Sequence, residues 1–172
     1  MAWHDGVWWP LYTTAWYSPQ VSQYMFDPYS LTHILHGIIF HLILSNIFQS
    51  SLAGFLITMA VELVWEVVEN SEPVMRRFRE NSGTSGDYEG DSVQNIMGDL
   101  LACAAGNILA IQLQVAGVSW VSFVWVVVSE MACIVYMRDS LFLIMVALLY
   151  KSEHLVEWQA QGMPKKKKEV KG

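Results

Sequence analysis

ELVWEVVENSEPVMRRFRENSGTSGDYEGDSVQNIMGD, residues 62–99, holds the ends of two apolar segments and the polar loop that joins them. A carboxylate in or near the hydrocarbon core of a membrane is energetically costly, so it is expected to have either a pairing partner or a functional role. We therefore expect the functional part of the molecule to lie around this stretch. Its acidic residues are Glu62, Glu66, Glu69, Asp87, Asp91 and Asp99.

The composition of the 172-residue chain is typical of a multi-pass membrane protein. Hydrophobic residues make up 53% of it and charged residues only 15%, with a mean hydropathy of +0.31, whereas soluble domains carry about 25% charged residues. The net charge of −6 is spread over loops and helix ends, which argues against nucleic acid. We expect membrane lipids, and no nucleic acid, to be the partners.

The apolar segments predict an all-α transmembrane bundle, because about twenty apolar residues suffice to cross the hydrocarbon core. A fifth segment, 140–150, is short for a span. Together with residues 153–158 it either leaves the membrane obliquely or forms a half-helix or an interfacial helix. Four spans are predicted, at 31–48, 52–69, 91–113 and 118–137.

Two regions flank the predicted helical domain, residues 31–159. Residues 1–30 are rich in Trp and Tyr, including Trp3, Trp8 and Trp9, and these residues prefer the headgroup layer of a membrane. Residues 160–172 contain the run Lys165 to Lys168, which predicts a disordered tail. The chain therefore divides into an interfacial segment, a transmembrane bundle and a tail.

Small and polar residues within the spans predict close helix packing. Gly98, Ala102 and Gly106 recur every four residues, which lets another helix approach closely. His41 is predicted to be buried and bonded to a neighbouring helix. Cys103, in an apolar segment without a CxxC neighbour, is predicted to be a buried thiol.

A polar layer is expected at one membrane face. The first span starts, the second ends and the third starts on the same side, and His33 and His36 share one helix face at i and i+3. The fifth segment adds Arg138 and Asp139, which are also candidate ligand-binding residues. The other members of the layer are Glu62, Glu66, Asp91 and Asp99.

Three interpretations of this layer stay open. In the first, the network is structural: the carboxylates pair with Arg76, Arg77, Arg79 or Arg138 and fix helix register. In the second it is a site for a divalent metal such as zinc, iron or manganese, which His and carboxylate ligands suit. The candidate metal ligands are His33, His36, Glu62, Glu66, Asp91 and Asp99.

The third interpretation is acid–base chemistry on a lipid-borne or headgroup substrate. His33 or His36 would act as the base, and Glu66 or Asp91 would orient it. Arg138, or the cluster Arg76, Arg77 and Arg79, would hold a phosphate. No motif of a known nucleophile accompanies these residues, so enzymatic activity is left open.

The order of these residues resembles that of the VanZ-like membrane proteins. A closer resemblance, over residues 18–159, is to an uncharacterised family of alphaproteobacterial inner-membrane proteins. The motifs that carry it are SPQVSQYMFDPYSLTHILHG (18–37), ELVWEVVENS (62–71), RRFRENSGTSGDYEGDSVQN (76–95), YMRDSLFLI (136–144) and EWQ (157–159). The VanZ-like order is that of Asp27, His33, Glu62, Glu66, Asp87, Asp91, Asn95 and Gly98.

The resemblance implies a location in the inner membrane and a role at the cell envelope, where VanZ-like proteins are associated with glycopeptide resistance. It implies no reaction. It adds Asp27, Asp87 and Asn95 to the candidate ligand-binding residues. The motif layer would face the periplasm if the last segment crosses the membrane, and the cytoplasm if that segment is re-entrant.

Overall fold

The computed structural model describes residues 11–18 and 21–163, and its α-helices confirm the all-α fold class. A short 3-10 helix, Val21–Gln23, precedes them. Part of the predicted interfacial segment, including Trp3, Trp8 and Trp9, and the run Lys165 to Lys168 lie outside the described residues. The described helices are α1 (Ser30–Leu44), α2 (Ser51–Glu69), α3 (Glu72–Asn81), α4 (Val93–Val115), α5 (Trp120–Met137), α6 (Leu141–Leu149) and α7 (Glu153–Ala160).

Three of these helices, α2, α4 and α5, are long and apolar enough to cross a membrane, so the prediction of four spans was wrong by one. The first predicted span, 31–48, forms only the 15-residue helix α1. Its apolar run continues to Phe48, but the helix ends earlier because Asn46 Nδ2 donates to the carbonyl of Leu42 at 2.6 Å. A side chain that binds a terminal carbonyl favours the end of a helix.

The helix α2 has its polar face inside and its apolar face outside. Its buried residues are Thr58, Glu62 and Glu66, spaced four apart. On the other face, Val64 and Val67 are exposed by 62% and 70%. This is the reverse of a helix in a soluble protein, and it agrees with lipid around the helix.

The helices α1 and α4 form the most extensive interface among the described elements, and they run in the same direction. Ser30 bonds Asp99 at one end of this pair, and His41 Nε2 lies 2.9 Å from Gln114 Oε1 at the other. The predicted role of His41 is thereby confirmed. Gly106 packs against the backbone of Ile34.

The small-residue row on α4 has the predicted effect of close packing. Gly98 lies against the backbone of Met25, and Gly37 of α1 lies against the backbone of Cys103. Cys103 is a buried free thiol, also as predicted. Since a side chain at either glycine would meet backbone atoms, the approach depends on the absence of Cβ.

A buried amide links three helices just below the polar layer. Asn107 of α4 donates from Nδ2 to the Thr58 hydroxyl of α2 at 3.0 Å and to the Gly37 carbonyl of α1 at 3.2 Å. Hydrogen bonds of this kind hold helices together where lipid gives no hydrophobic drive. These bonds hold α2 against the α1–α4 pair and so determine where the α2 carboxylates lie along the axes of α1 and α4.

The polar loop between α2 and α4 contains a helix that the sequence interpretation missed. Pro73 lies in the first turn of α3, and Met75 and Phe78 are its buried apolar residues. The fifth predicted segment forms two short helices, α6 and α7, separated at residues 150–152. A nine-residue helix rises only about 14 Å, so α6 does not cross the membrane, and it packs against α3.

Candidate metal centre

Two histidines of α1 share one carboxylate of α2. His33 Nδ1 lies 2.6 Å from Glu62 Oε1, and His36 Nδ1 lies 2.9 Å from Glu62 Oε2. Glu62 is fully buried, and both histidines are less than 10% exposed. The i, i+3 spacing of the histidines makes this possible, because it points both rings toward the same face of α2.

This arrangement favours one tautomer of His33 and of His36. A carboxylate accepts hydrogen bonds, so Glu62 favours a proton on Nδ1 of each ring and leaves Nε2 with its lone pair. His33 Nε2 lies 3.8 Å from Asp99 Oδ2. Metal-binding histidines usually have their second nitrogen held by a carboxylate in this way.

Glu66 is a buried carboxylate without hydrogen bonds. It is 1% exposed, and neither Oε1 nor Oε2 has a hydrogen-bond partner. Its Oε1 lies 3.4 Å from His33 Nδ1, whose proton is directed to Glu62 at the shorter distance. An unsatisfied buried carboxylate is a large energetic penalty, so its position calls for a proton or a cation.

Asp91, at the start of α4, is held by the end of α2. Its Oδ2 accepts hydrogen bonds from Asn70 Nδ2 at 2.8 Å and from the Tyr88 hydroxyl at 2.9 Å, and Asn70 also donates to the carbonyl of Glu66. Burial raises the pKa of Asp91, while the bonds from Tyr88 and Asn70 oppose this rise.

Asp27 and Asp99 meet across Ser30. The Ser30 hydroxyl donates to Asp99 Oδ1 at 3.2 Å, and Asp27 Oδ1 accepts from the backbone N–H groups of Tyr29 and Ser30. Burial raises the pKa of Asp27 to about 7, against the lowering effect of the Tyr29 hydrogen bond. Asp27 therefore orders the turn before α1.

Asp139 closes the opposite side of the layer and is 2% exposed. Its Oδ2 accepts from the Thr84 hydroxyl at 2.7 Å and from the Tyr29 hydroxyl at 3.4 Å, and its Oδ1 accepts from the Ser140 N–H at 3.0 Å. Burial is the main reason that its pKa rises from 3.8 to about 6.

We expect the stability of the protein to fall as the pH rises from 4 to 6 because of Asp139. The folded chain binds its proton more tightly than the unfolded chain does, so its contribution is fully present below pH 4 and is lost as the pH passes about 6. The loss is about 3 kcal/mol. Thermal unfolding in detergent between pH 4 and 7 measures it.

The Asp139→Asn variant is the control for this pH dependence. An amide can accept from Ser140 and still bond the Thr84 hydroxyl, but it does not titrate. The variant should therefore show a shallower decline over this range. An unchanged pH profile in the variant would contradict the assignment to Asp139.

A cavity of about 60 Å³ lies at the centre of this layer, with room for a few water molecules. An adjoining cleft of about 240 Å³, which Trp16 and Tyr17 also line, shares Tyr29, Ser85 and Tyr88 with it. These three residues form the boundary between the cleft and the cavity. The titratable groups in the cavity wall, besides the two tyrosines, are His33, Asp27, Glu69, Asp91, Asp99 and Asp139.

The predicted phosphate-binding arginines do not line this cavity. Arg77 donates to the carbonyl of Leu148, and Arg138 donates to that of Trp158 with its guanidinium over the Trp158 ring. Arg79 bonds Glu72 and the carbonyl of Tyr88, and Arg76 is exposed. The expected pairing of arginines with the buried carboxylates is thus replaced by pairing of histidines with them.

Of two further candidate residues, Asn95 lines the cavity and Asp87 does not. Asn95 donates to the carbonyl of Tyr24 at 2.9 Å and holds the segment before α1. Asp87 is exposed and lines the outer cleft. Their predicted roles in ligand binding stay predictions.

Among the described residues, three groups of side chains have ligand atoms within 4.8 Å of one another, as a metal ion requires. His33 and Glu66 each belong to two of them. Glu62, Glu66 and Glu69 form an acidic stripe along the last turns of α2. Glu69 was not among the predicted ligands, and it belongs to the group with Asp91 because it lies three residues after Glu66. The groups are His33, His36 and Glu62; His33, Glu66 and Asp99; and Glu66, Glu69 and Asp91.

The sequence interpretation missed the hydroxyl and amide groups that support these carboxylates. Asn70, Tyr88 and Thr84 lie in or next to the polar loop and reach residues that are distant in sequence. For Asn70 the sequence offers one signal, its position directly after the acidic stripe. For Tyr88 and Thr84 it offers none, since their contacts depend on how the loop folds over the helix ends.

Known proteins similar to this chain come from alphaproteobacteria. Residues 3–161 match a family described as "Protein of unknown function (DUF2585)". A UPF0314 protein of Paracoccus denitrificans is 36% identical over 145 residues, which is 83% of this chain and 72% of that protein. One from Brucella anthropi is 33% identical over 141 residues, 81% and 69% of the two chains. No solved structure matches.

Proposed function

The chain belongs to the DUF2585 family of proteins of unknown function, with UPF0314 relatives in alphaproteobacteria, and on that premise we propose that it binds a divalent metal ion at the membrane–water boundary. His33, Glu66 and Asp99 are the ligands, and Glu62 orients His33. The observation that carries the proposal is Glu66, a carboxylate that is buried with both oxygens free of hydrogen bonds, beside a histidine whose Nδ1 lies 2.6 Å from Glu62.

The charge of the cluster favours a cation. Carboxylates surround the two histidines, yet the one arginine–carboxylate ion pair among the described residues is Arg79–Glu72, which lies elsewhere. Buried carboxylates that repel each other are stabilised by protons or by a metal ion. The mixed imidazole and carboxylate donors suit zinc, iron or manganese.

The location of the centre points to ligands at the membrane surface. The cavity adjoins a cleft lined by aromatic rings and hydroxyl groups, and both lie where membrane helices end. A bound divalent metal can polarise a ligand oxygen or activate a water molecule. A lipid or envelope headgroup is the ligand class that we propose for the cleft.

The cellular location is part of the proposal. Membrane proteins made of α-helices are typical of the bacterial inner membrane, whereas outer-membrane spans are β-barrels. Helices α2, α4 and α5 support this placement. The resemblance to VanZ-like proteins, and with it a role at the cell envelope, stays a prediction.

The test measures metal in the full chain, purified without an affinity tag in detergent. Wild type should bind Mn²⁺ or Zn²⁺ after treatment with a chelator and reloading. Because His33→Ala removes a ligand, it should lower the affinity more than about 100-fold, and Glu62→Gln, which removes the orienting carboxylate, should lower it about 10- to 100-fold. His154→Ala changes an exposed histidine of α7 and should leave binding intact.

A wild-type protein that binds no metal, or a His33→Ala variant that binds like His154→Ala, would contradict the proposal. The second candidate function is that of a structural or accessory membrane subunit. The hydrogen bonds of Asp139, Asn95 and Asn107 favour it, because they hold helices and loops together. It predicts that His33→Ala lowers thermal stability while wild type binds no metal.

A further inference from the structure

We propose that the centre holds two metal ions, bridged by Glu66, and this inference rests on the proposed function. One ion lies among His33, Glu66 and Asp99, and the second among Glu66, Glu69 and Asp91. Glu66 is the member common to both groups. A dinuclear centre is therefore built from α1, the last two turns of α2 and the start of α4.

The spacing within each group is close to that of a coordination sphere. All ligand atoms of a group lie within 4.8 Å of one another. Two ligands on opposite sides of one ion, each at about 2.1 Å, are about 4.2 Å apart. Contraction by a few tenths of an ångström, within the reach of side-chain rotation, thus brings each group onto an ion.

Glu66 has the properties of a bridging ligand. A carboxylate that bridges two ions gives one oxygen to each, and here both oxygens are buried and free of hydrogen bonds. The ions of two-metal sites lie about 3.5–4 Å apart, a distance that one carboxylate spans. Glu62, in contrast, uses both oxygens on the histidines and belongs to neither ion in this arrangement.

Hydrogen bonds orient a ligand of the second group, as the Ser30 hydroxyl does for Asp99 in the first. Asp91 is held through Oδ2 by Asn70 and Tyr88, and Asn70 also ties the end of α2 to this position through the Glu66 carbonyl. Hydrogen bonds of this type orient metal-binding carboxylates. The support comes from the loop between α2 and α4, so this loop completes the second site.

The charges also favour two ions over one. Glu62, Glu66, Glu69, Asp91 and Asp99 carry five negative charges when ionised, and His33 adds no charge when it binds a metal ion, because a ligating imidazole is neutral. One divalent ion leaves most of this charge uncompensated in a poorly solvated place. Two ions reduce the net charge to a single negative unit.

Both groups reach the same cavity. His33 and Asp99 from the first group and Glu69 and Asp91 from the second line its wall. An oxygen ligand in the cavity can therefore contact both ions. This geometry suits the oxygen of a phosphate or carboxylate group, whether it belongs to a lipid headgroup or is free.

The test counts metal ions in the full chain, purified without a tag, stripped with a chelator and reloaded with Mn²⁺. Wild type should hold two ions per chain after desalting, with an electron paramagnetic resonance spectrum of a coupled pair. Glu69→Gln should hold one, with an uncoupled spectrum. Glu80→Gln removes an exposed carboxylate of α3, outside both groups and outside the cavity wall, and should hold two.

The outcomes separate this inference from the proposed function. No bound ion in wild type overturns both. One ion in wild type, retained in Glu69→Gln, supports the proposed function and overturns the dinuclear centre. Size-exclusion chromatography shows whether each variant is folded and monodisperse, and Glu69→Asp, which keeps a carboxylate, should restore part of the second ion's occupancy if Glu69→Gln acts by removing a ligand.

Discussion

Replacing Gly106 with alanine is expected to separate α1 from α4 and to destabilise the protein by about 3 kcal/mol or more. The new Cβ would meet the carbonyl oxygen and carbonyl carbon of Ile34, which belong to the backbone of α1 and cannot rotate away. The two helices would have to move apart along their whole interface. Because Ser30 and Asp99 lie on these helices, the metal centre would be distorted as well.

Gly54→Ala is the matched control for this variant. Gly54 also lies in a membrane helix, α2, but the nearest atom to its added Cβ is Leu44 Cβ at 4.0 Å. Alanine favours a helix over glycine by up to about 1 kcal/mol, so this variant should melt at or above the wild-type temperature. Equal melting temperatures in detergent for the two variants would show that α1 and α4 are not in close contact.

Glu62→Ala is expected to be the most damaging change within the polar layer. It leaves His36 Nδ1 without its acceptor in a buried place, and the acceptor that remains for His33 Nδ1 is Glu66 Oε1, at 3.4 Å. Removing one member of a buried network of this kind costs about 3–5 kcal/mol. Thermal unfolding should show this loss, and chemical modification of histidines, read by mass spectrometry, should show His33 and His36 becoming reactive.

Two other variants delimit the effect of Glu62. Glu62→Gln keeps an oxygen acceptor and should lose less stability than alanine, because one histidine can change its tautomer to accept from the amide. Glu80→Ala removes an exposed carboxylate of α3 and should change stability by less than about 0.5 kcal/mol. A Glu62→Ala variant as stable as Glu80→Ala would disprove the shared hydrogen bonds.

The regular helices could largely be predicted from the sequence, because side-chain period and apolar length determine them. The spacing of Glu62 and Glu66 placed both on one face of α2, and the structure buries that face. The prediction failed where a single side chain decides the end of an element. Asn46 ends α1 before its apolar run ends, so hydropathy alone overestimates that helix.

The candidate centre was predictable in its acids and histidines but not in their partners. Ion pairs with arginine are the general expectation for buried carboxylates. Here Arg77 and Arg138 instead bind the carbonyls of Leu148 and Trp158. The helix α3 was missed because most of its residues are polar. Its two helical signals are Pro73 in the first turn and the i, i+3 spacing of the apolar residues Met75 and Phe78.

The unequal lengths of α1 and α4 place the polar layer below the start of the longer helix. With 15 residues, α1 rises about 22 Å, whereas α4, with 23, rises about 34 Å. Since a typical hydrocarbon core is about 30 Å thick, α4 is long enough to cross it and α1 is not. Ser30, the first residue of α1, bonds Asp99 in the second turn of α4, so the missing length of α1 lies on the side of the polar layer, and His33 and His36 lie deeper than the first turn of α4.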